Sequence, residues 1–252
     1  MRGVTLRGAG AAGGLLVFGH MDLADSTVTG VSEVDALVRV GSGAWLTMTK
    51  TVIAGNDVGS VIGVDDLSAA TMMTSTIQAN RAGMVVGGGH AQLRVEASSI
   101  VANNAGGIIG ITGAVSVTRS TIAYNALRSS YDSPIICCGV ANVRHVTIAA
   151  NTLDNSWPEG VSRGLIKPPH LLAVKSTILH LAASAIGSND TIGALGLDAG
   201  GCTPGALIST GDNVVDVATC GDKTRGDRVV DDVDLGALED AGGPTPVLVP
   251  RP

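Results

Sequence analysis

At 252 residues the chain can bury a sizeable core in one or two domains, yet only 2% of it is aromatic, with a single Phe, against 45% hydrophobic residues and 35 Gly. Such a core must be assembled from Val, Ile, Leu, Ala and Met in thin layers between tight turns, which disfavours sandwiches and α/β domains and suits a solenoid. The net charge of −6, with only 4 Lys among the 16 basic residues, no basic block and no aromatic platform, argues against nucleic acid as a partner, and no apolar run is long enough for a membrane span.

In chain order, the first stretch, MRGVTLRGAGAAGGLLVFGH at 1–20, has two readings. One is an Arg-flanked export signal with a short apolar centre. The other is the first coil of a repeat, because Leu6 is in phase with a series of aliphatic residues further along the chain. On the second reading the chain begins inside a turn, and its open first coil leaves a strand edge that invites association.

A short motif then recurs: TVIAGN at 51–56, STIQAN at 75–80, SSIVAN at 98–103, STIAYN at 120–125 and VTIAAN at 146–151. Its aliphatic position is occupied by Val28, Ile53, Ile77, Ile100, Ile122, Ile148 and Ile178, in steps of 25, 24, 23, 22, 26 and 30 residues. Leu6 lies 22 residues before Val28. A period in the low twenties is the signature of a solenoid.

Seven and five residues before each aliphatic position stand Met21/Leu23, Leu46/Met48, Ala70/Met72, Leu93/Val95, Val115/Val117, Ala141/Val143 and Leu171/Ala173. A separation of two puts both side chains on one face of a strand. Three residues before the aliphatic position stand Lys50, Thr74, Ala97, Arg119, His145 and Lys175, which are mostly polar and should face water. A third apolar set comes next, commonly after Gly or Pro: Leu15–Val17, Leu37/Val38, Val61/Ile62, Val85/Val86, Ile108/Ile109, Ile135/Ile136 and Leu165/Ile166.

Three short strands per repeat with no helical period between them predict an all-β, parallel β-helix. Right-handed coiling is expected from strand twist. About seven turns at ~4.8 Å each make a rod of about 35 Å. The solenoid is expected over 1–181, with 182–252 as an irregular C-terminal cap of the same domain. Asn56, Asn80, Asn103, Asn125 and Asn151 fall at the bend after the motif strand. There Asn tolerates unusual backbone angles and can bond its own turn, and stacked amides can bond the turns above and below. Ser26, Ser75, Ser98, Ser120 and Ser176, with Thr51 and Val146, form a second column of mostly small polar residues. Both columns read as structural devices.

The run of STIxxN turns resembles bacterial right-handed β-helix surface proteins of the pectin-lyase-like superfamily. The stretch GCTPGALISTGDNVVDVATCGDKTRGDRVVDDVDLGALEDAGGPTP, over 201–246, is similar to the end of choice-of-anchor Q domain proteins. In those a Cys-containing segment with S-x-G-x-N leads to a second Cys and then to a Gly-Gly-Pro-Thr-Pro run. Ser209, Gly211, Asn213, Cys220, Gly242, Gly243, Pro244, Thr245 and Pro246 fit that pattern. The chain ends at VLVPRP, before the segment that usually comes next in that family, which suggests a fragment or a shortened product. The resemblance implies an exported surface protein and transfers no catalytic residues. It also favours a disulfide between Cys202 and Cys220, which would close a loop of 17 residues and contribute about 3 kcal/mol. The alternative is two free thiols in a cytosolic chain.

Other candidates come from the residues themselves. Cys137 and Cys138 are neighbours on an apolar strand and should point to opposite faces, so a bridge between them is disfavoured. Nine of the eighteen Asp lie within 198–240. Asp231, Asp232 and Asp234 could supply oxygen ligands to Ca²⁺, although they lack the spacing of an EF-hand loop and read more simply as a solvated acidic end. The sharpest enzymatic constellation, VDD at 64–66 with GGH at 88–90, resembles the paired-Asp and Gly-His-Gly motifs of β-helix polysaccharide hydrolases and sets Asp65 and Asp66 about one turn from His90. Paired carboxylates can act as general acid and base on a glycosidic bond. The chain departs from that hydrolase pattern: its third Asp has no convincing match, its Arg-x-Lys motif is absent, with LIK at 165–167 about three turns away, and Ala91 follows His90 in place of Gly. The expected function is therefore a non-catalytic secreted or cell-surface rod, structural or adhesive, with glycan or a host surface as partner and no cofactor. The alternative is a polysaccharide-degrading enzyme, hydrolase or lyase, using Asp65, Asp66 and His90.

Overall fold

The computed structural model describes residues 1–8, 14–128, 135–137, 139–153, 166–167, 171–175, 178–180, 207–209, 212–215, 226–230, 235–239 and 247–250. Among them every regular element is a strand, and all but two strands lie in three parallel sheets. The fold is a parallel β-helix. Sheet I stacks His20–Ala24, Trp45–Thr49, Ala69–Met73, Gln92–Glu96, Ala114–Thr118, Val140–Arg144, Leu171–Lys175 and Leu207–Ser209. Sheet II holds the recurring motif in ten strands, from Thr5–Arg7 to Arg228–Val229. Sheet III runs from Leu15–Val17 to Ile166–Lys167. Six complete coils run from His20 to Lys167, with partial coils at both ends; an expectation of about seven is met only by counting the partial ones.

The aliphatic column is continuous. Leu6, Val28, Ile53, Ile77, Ile100, Ile122 and Ile148 pair successively across sheet II, and from Val28 onward each is buried. In sheet I the inward pairs fill the facing wall, all buried from Leu23 to Val143, with Met21 half-buried at the open end. One assignment shifts. Ile148 pairs with Leu179, and Ile178 pairs with Thr147. Accordingly Leu172 and Val174, not Leu171 and Ala173, stand in register with the buried Ala141 and Val143. Two adjacent aliphatics at 178–179 and four apolar residues at 171–174 leave the period-two phase undetermined by hydrophobicity, and a slip of one residue exchanges the faces.

Sheet III explains its own doubled apolar pairs. Val61 and Ile62 are consecutive and both buried, as are Val85 and Val86, because the strand bends inward there. From the next coil the two halves separate into Asn104–Ala105 and Ile109–Ile111. Before the bend the coils approach closely. A Cβ on Gly59 would come within 2.5 Å of the Asp35 carbonyl oxygen, and on Gly106 within 2.4 Å of that of Gly83. Only glycine allows that approach.

Two left-handed residues turn each coil. Between sheets I and II they are Asp25, Lys50, Thr74, Ala97, Arg119 and His145, with φ between 46° and 55°. Between sheets II and III they are Gly30, Gly55, Ala79, Ala102, Tyr124 and Ala150. The Asn residues do not themselves adopt left-handed angles; the residue before each of them does. What Asn supplies is the side-chain ladder. Nδ2 of Asn56, Asn80, Asn103 and Asn125 donates to Oδ1 of the next Asn at 2.8, 3.0, 3.0 and 2.8 Å. The backbone N–H of each donates to the same oxygen at 3.0–3.1 Å. The Ser column works in parallel. Ser75, Ser98 and Ser120 each donate 2.7 Å bonds to the carbonyl two residues back and accept from the N–H of the preceding coil at 3.0–3.2 Å. Ser176 lies outside the described residues.

Beyond residue 182, Leu207–Ser209 extends sheet I, and Val214–Val215 and Arg228–Val229 extend sheet II. Asp212 and Gly226 repeat the left-handed corner at the same phase. An antiparallel hairpin, Leu235–Glu239 with Val247–Pro250, then lies against the outside of sheet II, where Leu235 and Leu238 cover Val101, Ala123 and Ala149.

Candidate functional site

The corner between sheets III and I carries the paired carboxylates. Val64 pairs with Gly88, so Asp65–Asp66 and Gly89–His90 leave neighbouring strands side by side, as their spacing predicts. Their bonds are structural in kind. Oδ1 of Asp66 accepts the backbone N–H of His90 at 2.7 Å. The approach needs Gly89, whose Cβ would stand 1.9 Å from that oxygen. Asp65 pairs with the guanidinium of Arg39 on the preceding coil at 3.3 Å. Its backbone N–H donates to the Val40 carbonyl at 2.9 Å, and the Ser68 hydroxyl donates to its carbonyl. The Leu67 N–H closes the corner on the His90 carbonyl at 3.0 Å. Asp66 and His90 are thus brought together through the His90 backbone, while Asp65 is turned to an arginine.

The larger concavity lies on the outside of sheet I. A groove of about 540 Å³ crosses four coils between Ala69 and Asn142. Its floor is set by side-chain length. The column Trp45, Ala69, Gln92, Ala114, Val140 is in register across five strands. The two alanines sink the floor, whereas Trp45 and Val140, 55% and 51% exposed, stand at its ends. The next outward column adds Thr71, Arg94, Ser116 and Asn142. On the flank, Glu96 takes the guanidinium of Arg94 at 2.5 Å and that of Arg119, while Arg144 Nε donates to Asn142 Oδ1 at 3.1 Å.

The three outer faces are not equivalent. Sheet II is partly covered by the hairpin, whereas among the described residues none covers sheet I over the length of the groove. The groove was not apparent in the sequence, though the alternation of Ala69, Gln92 and Ala114 at one phase is its signal. Described aromatics are all outside the core: Phe18 is 85%, Trp45 55% and Tyr124 42% exposed.

Cys202, Cys220, Cys138, Asp231, Asp232 and Asp234 lie outside the described residues. Cys137 stands in register with Gly110 and Lys167. Among the described residues no helix is long and apolar enough to cross a membrane. Comparison with protein-family models, with curated proteins and with solved structures returns no match.

Proposed function

We propose that the protein is a non-catalytic, exported or cell-surface rod, a right-handed β-helix of the choice-of-anchor Q kind, which binds glycan along the outside of sheet I. The observation that carries this reading is the 540 Å³ groove. It is long and shallow, with an apolar floor of Ala69, Ala114 and Val140 and hydroxyl, amide and guanidinium groups from Thr71, Gln92, Arg94, Ser116 and Asn142. An extended ligand with both apolar and hydroxyl faces suits such a surface, because the coils present their outward side chains at a regular rise of ~4.8 Å. Trp45 at one end offers an exposed ring against which a sugar can stack.

The enzymatic reading is less favoured for a geometric reason. Asp65 and Asp66 have partners that hold the corner, and neither is among the residues that line the groove. Partner association at the N-terminal end belongs to the same proposal. Leu16, in the strand Leu15–Val17, and Phe18 just after it are exposed large apolar side chains that such a partner would cover.

Binding and turnover on a panel of plant and bacterial polysaccharides test the proposal, with Ala114→Trp to fill the groove and Asp65→Ala and Asp66→Ala to remove the carboxylates. Binding without turnover, lost in Ala114→Trp and kept in Asp65→Ala, is expected. Turnover by the wild type that disappears in both Asp variants would replace this reading with the enzymatic one.

A further inference from the structure

We propose that the outer face of sheet I is self-complementary, and that two copies of this chain pack there face to face with their rod axes antiparallel. The shape of one outward column is the basis. His20, Trp45, Ala69, Gln92, Ala114 and Val140 stand in register on six successive coils. A two-fold axis lying between the faces, parallel to the strands, keeps position along the strand and reverses the order of the coils. The column then meets itself inverted. With the axis between Ala69 and Gln92, Trp45 meets Ala114, Gln92 meets Ala69 and His20 meets Val140. Each longer side chain faces a shorter one on all six coils. A shift of one coil either way sets Trp45 against Gln92 or Val140 and leaves alanine facing alanine. The hollows at Ala69 and Ala114 belong to the groove of about 540 Å³, and Trp45, 55% exposed, is the knob that enters one. Each seated ring buries about 200 Å².

Polar groups in the neighbouring column agree with the same register. Asp22, Thr47, Thr71, Arg94, Ser116 and Asn142 follow one another there. Thr47 meets Ser116 of the second copy, hydroxyl to hydroxyl, and Thr71 meets Arg94. Asp22 meets Asn142, over which the guanidinium of Arg144 already leans, with Nε donating to Asn142 Oδ1 at 3.1 Å. A carboxylate of one copy is thus brought to a guanidinium of the other at both ends of the pair. The wider charge distribution points the same way. Among the described residues up to Asp66 there are seven carboxylates against four basic side chains, whereas from Leu67 to Ser209 seven basic residues stand against Glu96 alone. Antiparallel packing lays the acidic end of each rod along the basic end of the other.

Five residues per strand at ~3.3 Å and six coils at ~4.8 Å give a face of about 500 Å² per copy. The total of about 1,000 Å² is at the lower end for a specific pair, so the dimer is weak and fills as concentration rises. Because the pairing covers the groove, a bound glycan and a second copy exclude one another there.

Sedimentation equilibrium of the full chain over a wide range of concentration tests the pairing. The wild type is compared with Trp45→Ala, with Ala114→Trp, and with the double variant that carries both and so exchanges knob and hollow. Gln78→Trp, on the outer face of sheet II, controls for an added ring, and circular dichroism checks that each variant keeps the fold. Expected are a monomer–dimer equilibrium for the wild type, weakening of about thirtyfold or more by either single variant, recovery to within about tenfold of wild type in the double variant, and no effect of Gln78→Trp. A wild type that stays monomeric throughout would overturn the pairing and leave the glycan reading untouched. A dimer indifferent to both single variants would put the contact on another surface and overturn the proposal. Losses in the single variants that the double variant does not repair would overturn it too. The wild-type equilibrium stands as a test even where a variant folds poorly.

Discussion

Asn103 shows what a single residue does in this wall. Its Oδ1 accepts from both the backbone N–H and Nδ2 of Asn80, at 3.1 and 3.0 Å. Its Nδ2 shares two hydrogens among the carbonyls of Ile77 and Val101 and Oδ1 of Asn125. The side chain is 1% exposed, so no water can replace these partners. Asn103→Ala should therefore cost about 3 kcal/mol in urea unfolding, because it strands buried donors on Asn80 as well as losing its own bonds. Ser98→Ala, with one bond made and one accepted, should cost about 1 kcal/mol. The Asn column was legible in the sequence because one residue type recurs at one phase. The left-handed corner before it was not: Gly55, Ala79, Ala102, Tyr124 and Ala150 share no chemistry, and the strain each carries is imposed by the coil around it. The paired Asp residues were legible as neighbours, but their use was not, since Arg39 and the His90 N–H become their partners only when coils are stacked.

At the scale of elements, sheet II has two kinds of outer surface. Outward Thr29, Ala54 and Gln78 are partly exposed, while Val101, Ala123 and Ala149 at the same phase are buried under the hairpin of Leu235–Glu239 and Val247–Pro250. Ala123→Lys should consequently destabilise the protein by about 2 kcal/mol or more, since a charge must be buried or the hairpin displaced. Gln78→Lys, two coils earlier in the same column, should stay within about 0.5 kcal/mol. Thermal melts of the two variants check the pair, and binding of a hydrophobic dye by Ala123→Lys would report hairpin release. The sequence carries a trace of this cover, in that the residue after the inward aliphatic becomes Val or Ala in three successive coils. The covering strand could not be assigned from its own pattern, because Leu235 and Leu238 sit in a segment whose composition reads as an acidic end. The slip at Ile178 and Leu179 has a similar cause. Where both neighbours are aliphatic, only the ladder of backbone hydrogen bonds decides which one faces inward.

For the whole molecule, the coil is the unit of stability, since each contacts chiefly its neighbours. Excising 81–103 joins Asn80 to Asn104 and removes one coil without changing phase. That shortened chain should still unfold cooperatively, with reduced stability and an unchanged β-type circular dichroism spectrum. Excising 92–103 alone removes part of a coil, breaks the phase of all three sheets, and should abolish cooperative unfolding. The solenoid itself was readable from the period and the three apolar sets. The groove was less so, because its depth depends on the lengths of side chains that meet only across coils.

The chain of Asn amides also has a sense. From Asn56 to Asn125 every Nδ2 donates to the Oδ1 of the Asn on the next coil while also bonding a backbone carbonyl of the coil before, so the amide-to-amide relay runs one way. At the leading end Val31, which has no amide to offer, joins only through its backbone N–H to Asn56. Aligned in this way the amide dipoles add, as peptide dipoles do in a helix, and the rod acquires an electrical polarity although the described residues form no helix. Two such rods meeting leading end to leading end would set their dipoles in opposition and leave the amide relay broken at the junction. Only head-to-tail contact would keep it running in one direction.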